Sequence, residues 1–224
     1  MSNVVIELQK ACLDSSMSYN FILLKAYFIA KKLNLREMVD FCEKEIYGYP
    51  KTPSEDIPGY RIITPCFRAK RFGQPDWDML IAPDSSPFST EKIIDSIACI
   101  EKLASSTKEV WTKAMKDDER NAFNVLTGDV YPIMQRVYPI YLFSQILMNV
   151  RMNILNWAIE LENCGVKGNN FSFSIDEKEH AQNASSINII SIAGDANNSN
   201  LAGMLMNSSA TVSNDANSDI QTQG

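Results

Sequence analysis

"PIYLFSQILMNVRMNILNWAIELENC", Pro139 to Cys164, carries the clearest periodic signal in the chain. Phe143, Leu147, Val150, Ile154, Trp157, Leu161 and Cys164 recur in alternating steps of four and three, which lays them along one side of a long helix. A second row, Met148, Met152, Leu155 and Ile159, gives that helix another apolar face, to be met by the β segment or by another subunit. Gly165 is placed to stop it. A helix of this kind needs others to lie against.

Three candidates stand near the N-terminus. Residues 4–15 place Val4, Leu8 and Cys12 or Ala11 on one helical face. "SYNFILLKAYFIAKKL" is apolar around its whole circumference, with Lys25, Lys31 and Lys32 as its charges, and is expected at the centre of the core. "NLRE" then opens a third helix, with Asn34 as cap, Glu37 reaching back, and an apolar stripe of Leu35, Met38, Val39, Cys42 and Ile46 ending at Gly48. From Pro50 the composition turns to β-formers, and "YRIITPCFRAKRF" and "WDMLIA" read as two strands about a turn at Gly73 and Pro75. Pro65 marks the first as an edge strand or a bulge, since proline cannot donate to a ladder. Helical period returns after Ser89, with Ile93, Ile97, Ile100 and Leu103 on one face. Beyond it, a short helix at Val110–Met115 and an extended piece at Phe123–Leu126 are expected. "SIDE", Ser174 to Glu177, is a capping box.

The expected fold is therefore α+β and mainly α. A helical bundle body over residues 1–181, with a small β segment at about 60–82, precedes an Asn- and Ser-rich tail over 182–224. Two readings of the tail stay open. It is a disordered polar segment, or its apolar runs, carrying Ile187, Ile189, Ile190, Ile192, Leu201, Met204, Leu205, Met206 and Val212, form short strands that stack on copies of themselves.

With 45% hydrophobic residues over 224 positions, the chain has material for a real core. A net charge of -6 argues against broad coating of nucleic acid or anionic membrane, and leaves room only for a local basic patch. No run of about 18 apolar residues suggests a membrane span, and the N-terminus lacks the pattern of a secretory signal. A cytoplasmic protein with five scattered, reduced and buried cysteines is expected.

Chemistry finds little support. His180 with Asp176 could share a helix face, but the chain has one histidine, and a metal site needs three or four ligands. Cys164 falls on the helical seam, where burial silences a thiol. "PD" at Pro75–Asp76 and "DEK" at Asp176–Lys178 caricature a nuclease, yet the latter opens a capped helix. "CFRAKRF", with Arg68, Lys70 and Arg71 between aromatic residues, could hold phosphates and stack a base. A charge-protected edge strand explains it as well. No cofactor or metal is expected.

Four stretches together resemble the AbiTii family of bacterial abortive-infection proteins. They are "IELQKACLDSSMS", "AKKLNLREMVDFCEKEIYGYP", "IPGYRII" and "RMNILNWAIELENCGVKGNNFSFSIDEKEHA", in order over about residues 4–181. The resemblance implies defence against phage by halting its multiplication in the infected cell. Arg61, Arg151 and Glu160 are charged members of these motifs, fit for structural ion pairs or for a site. The expectation is a non-enzymatic module, homo-oligomeric, meeting a protein of the defence system or of the phage, with nucleic acid and membrane not expected as partners. The alternative is a toxic effector enzyme acting on nucleic acid or a nucleotide.

Overall fold

A computed structural model describes residues 3–183. Three helices open the chain: α1 (Val4–Leu13), α2 (Tyr19–Leu33) and α3 (Arg36–Tyr47). Asn3 and Ser18 cap the first two, accepting from the Ile6 and Phe21 amides at 3.1 and 3.2 Å. Asn34 does not cap α3 as its sequence suggests. It takes the left-handed conformation (φ 59°) that ends α2, and only Asn34 and Leu35 separate the two helices. Two 3-10 turns, Ser54–Asp56 and Gly59–Arg61, lead to β1 (Ile62–Ile63), β2 (Cys66–Lys70) and β3 (Asp78–Leu80). After β4 (Glu91–Lys92) comes α4 (Ile97–Ala104), capped by Ser96 rather than begun at Ser89. β5 (Val110–Ala114), α5 (Asp117–Thr127), β6 (Ile133–Pro139) and α6 (Ile140–Asn163) follow, and a last helix, α7, covers 175–183.

The chain is mainly helical with a small antiparallel sheet, as its periodicities imply, and the structure moves several boundaries. The expected helix at Val110–Met115 is a strand, and the expected extended piece at Phe123–Leu126 lies inside α5. The hairpin is correct, with Phe67 opposite Leu80. Yet β2 is not an edge strand: the sheet order is β3-β2-β6-β5, and Pro65 falls in the break between β1, which pairs with β4, and β2. A proline there interrupts no ladder.

Two cores result. The larger gathers α1, α2, α3, α4 and α6, with the α6 seam of Phe143, Leu147, Val150, Ile154, Trp157 and Leu161 buried throughout. α2 is less central than its composition suggests, since Phe21, Leu24 and Phe28 face outward. The second row of α6 also stays outward, with Met148, Met152 and Ile159 exposed among the described residues. The smaller core lies under one face of the sheet, where Phe67, Phe88 and Phe123 pack edge-on and tilted with centroids 5.0–6.4 Å apart. No described helix is long and apolar enough to cross a membrane. The tail positions from Ile187 to Val212 lie outside the described residues.

Candidate interaction site

The two most distinctive motif pieces, "EIYGYP" and "IPGYRII", meet in space. α3 turns Glu45 inward on the same face as Met38 and Cys42, and the second 3-10 turn brings Arg61 to it. Neither side chain has any exposure. Arg61 Nη2 reaches Glu45 Oε2 at 2.5 Å and its Nε donates to Oε1 at 3.1 Å. The remaining Nη1 donates to the carbonyls of Ile93 and Asp95, both at 2.8 Å. The hydroxyls of Tyr49 and Tyr60 donate to Glu45 Oε1 at 2.5 and 2.7 Å. Every charge of the pair thus has partners, the condition for burying ions without a large desolvation penalty.

Gly48 makes the arrangement possible. Its φ of 84° ends α3, and a Cβ there would stand 2.6 Å from the Ile94 carbonyl oxygen. The bare α-carbon lets the chain lie close enough for the Tyr49 amide to donate to that same oxygen at 2.7 Å. Tyr49 then stacks under the Arg61 guanidinium, 4.5 Å from ring centroid to Cζ.

Above this cluster runs a groove of about 360 Å³. Met38, Phe41, Tyr49, Pro58 and Tyr60 give it an apolar floor, and Arg36, Glu37, Asp40, Lys44 and Asp56 a rim of both charges. Burial pushes the Tyr49 and Tyr60 hydroxyls up, and the Glu45 carboxylate beside them adds to it. They remain protonated donors near neutrality, committed to Glu45, so the floor offers contact area rather than an acid or a base. A second, more polar recess of about 660 Å³ adjoins it through Arg36 and Asp40 and extends to Gln182.

The other residues singled out from sequence scatter. Arg151 is buried, donating to the carbonyls of Cys12, Asp14 and Met17, with its guanidinium 4.3 Å from the Tyr19 ring centroid. It closes the C-terminal end of α1 on the entry to α2. Glu160 is half-buried in the last turns of α6. Arg71 pairs with Asp78 and Asp129 and donates to the Tyr131 hydroxyl. Arg68 and Lys70 stand on the opposite face of the sheet from Phe67 and Ala69. Asp176 and His180 are exposed on α7, and no group of His, Cys, Asp or Glu among the described residues could hold a metal. Cys12 and Cys42 are buried, but Cys99 is exposed on α4, contrary to the expectation of five buried thiols. Glu45 was missed from sequence. Its signal was a carboxylate seven residues from Met38 and three from Cys42, on the face that the stripe buries.

No curated protein and no solved structure matches the chain. The AbiTii family model matches residues 3–186, spanning both motif pieces and both cores. The chain therefore belongs to the AbiTii family, and with it to bacterial abortive-infection defence against phage.

Proposed function

We propose that the protein serves abortive infection as a non-enzymatic interaction module in the cytoplasm. The groove over Tyr49 and Tyr60 takes an apolar side chain or short segment of a protein from the defence system or the phage, and copies assemble through the segment after residue 183. The observation that carries this reading is the convergence of the two motif pieces beneath one apolar-floored groove with a mixed-charge rim. Such a surface suits a partner anchored by one buried group and aligned by peripheral charges.

The test is phage plating on bacteria carrying the protein in its own system. Phe41→Ala on the floor and Asp40→Arg on the rim should weaken protection while leaving the melting temperature of the purified protein within a few degrees. Asp176→Asn and His180→Ala should protect as the natural chain does. Full protection from both groove variants, or loss of protection from either α7 variant, would remove the basis of this reading. For assembly, light scattering compares the full chain with one ending at Asn183. Ala181 is fully buried and Gln182 donates to the Leu33 carbonyl, so an earlier end would damage the body itself. Equal masses for the two would count against assembly through the tail.

A further inference from the structure

The four-stranded sheet covers the small core with one face; its other face is open from β3 across the hairpin end of β2 and the start of β6, and closes only at Val137. Register fixes which residues look outward: Arg68 and Lys70 on β2, Met79 on β3, Ile133 and Gln135 on β6. No outward ladder position of the four strands carries a carboxylate, although the whole chain is net acidic at -6. Asp78 pairs with inward-facing Ala69 and so belongs to the other face. Met79 and Ile133 are 63% and 51% exposed.

The two cations are held rather than loose. The Arg68 guanidinium lies over the Trp77 ring at 4.5 Å and donates to Gln135 Oε1 at 2.7 Å. The Lys70 ammonium sits 5.1 Å from the same ring. Trp77 thus presents a flat guanidinium and an ammonium side by side, and Phe72 at the hairpin tip is 78% exposed. Alternate positions on one strand face are about 6.6 Å apart, so the two charges follow an anion repeated along an extended polymer.

We propose that this open face binds single-stranded nucleic acid, with Arg68 and Lys70 on successive phosphates or with the Arg68 plane, backed by Trp77, stacking a base. This goes beyond the groove reading and does not depend on it. Charge complementarity selects an anionic occupant and disfavours a second copy placed face to face, which would oppose like charges. The flat and apolar surfaces beside the charges favour bases over an acidic peptide, because stacking needs a π-face that Glu and Asp lack. The net charge of -6 excludes general coating of nucleic acid and leaves a local, weak and salt-sensitive contact.

The experiment is fluorescence anisotropy of labelled single strands of about 12 nucleotides, one of uridylate and one of thymidylate, titrated with the full chain. Binding should weaken as salt rises from about 50 to about 200 mM, with a log–log slope near -1.4 for two phosphate contacts. Lys70→Gln alone should lower the slope by about 0.7, and Arg68→Gln with Lys70→Gln should weaken binding about ten-fold or more at unchanged circular dichroism. Trp77→Ala should cost about ten-fold. The single Lys70 variant decides the matter if the double one fails to fold. Absence of binding to either strand, binding that ignores Lys70→Gln and salt, or displacement by polyglutamate as effective as by unlabelled strand would each overturn the proposal.

Discussion

Glu45 and Arg61 stand sixteen residues apart in sequence and share two hydrogen bonds at zero exposure, with Tyr49 and Tyr60 closing the carboxylate from the other side. Removing one partner strands the other in a place without water. Arg61→Met should therefore destabilise the protein by about 3–5 kcal/mol, and Glu45→Met with Arg61→Met should cost clearly less than the two single changes summed. Urea unfolding of the four proteins measures this, and strict additivity would show that the pair does not act as a unit.

Gly48 makes a sharper case because no side-chain chemistry is involved. Gly48→Ala places a methyl group 2.6 Å from a backbone oxygen at a positive φ. The expected loss is at least about 2 kcal/mol, above the ordinary cost of alanine in the left-handed region. The loss should come with weaker hydrogen-exchange protection of the Tyr49 amide. A melting temperature equal to the natural chain's would mean the loop relaxes freely.

At the other end of the body, Glu177 accepts from the amides of Lys167, Gly168 and Ser174 at 2.8, 2.9 and 2.8 Å. The same loop offers the carbonyls of Lys167 and Gly168 to the amides of Val5 and Val4, filling the open N-terminus of α1. Burial pushes the Glu177 carboxyl up, but these amides and the Ser174 hydroxyl outweigh it, and it titrates below the ordinary 4.5. Its stabilisation is present above the unfolded-state value and is lost as pH falls through the lower folded one. Glu177→Gln should cost about 1–2 kcal/mol near neutral pH, and the two melting curves should converge on acidification below about pH 4. A constant gap across that range would assign the effect to shape rather than charge.

Thiol labelling reads burial directly. Cys12 is pushed up to about 11, chiefly by burial, and Cys42 is raised further for the same reason, while Cys99 is exposed on α4. Iodoacetamide at mildly alkaline pH should modify Cys99 first, and Cys12 and Cys42 only as the protein unfolds. Mass spectrometry of digested samples checks the order.

What the sequence disclosed follows from which signals are local. The α6 seam was legible because a long buried stripe keeps its period over many turns. The β2–β3 hairpin was legible because its turn residues sit between two β-prone runs. Residues 110–127 were misread for a physical reason. β5 carries two adjacent apolar residues, Val110 and Trp111, which point to opposite faces, and none of its five residues is buried. α5 buries chiefly Phe123, so neither segment has a full stripe to count. The place of β2 in the sheet was invisible because β6, its second neighbour, lies some sixty residues away and was not recognised as a strand. The Glu45 cluster was half visible: Arg61, Tyr49 and Tyr60 stood out, and the carboxylate that joins them did not.

One junction has a mechanical consequence. β6 ends at Pro139 and α6 begins at Ile140, with no residue between them to act as a hinge. Tyr138, the last inward residue of the strand, is packed in the helical core and donates to Glu91 at 2.6 Å. Sheet and helix are therefore joined without a connecting loop, and the 24-residue helix, about 36 Å long, carries that join through the larger core. A change in the sheet's orientation is thus coupled to the packing of α6 along its buried seam against α1, where Arg151 holds the carbonyls of Cys12 and Asp14.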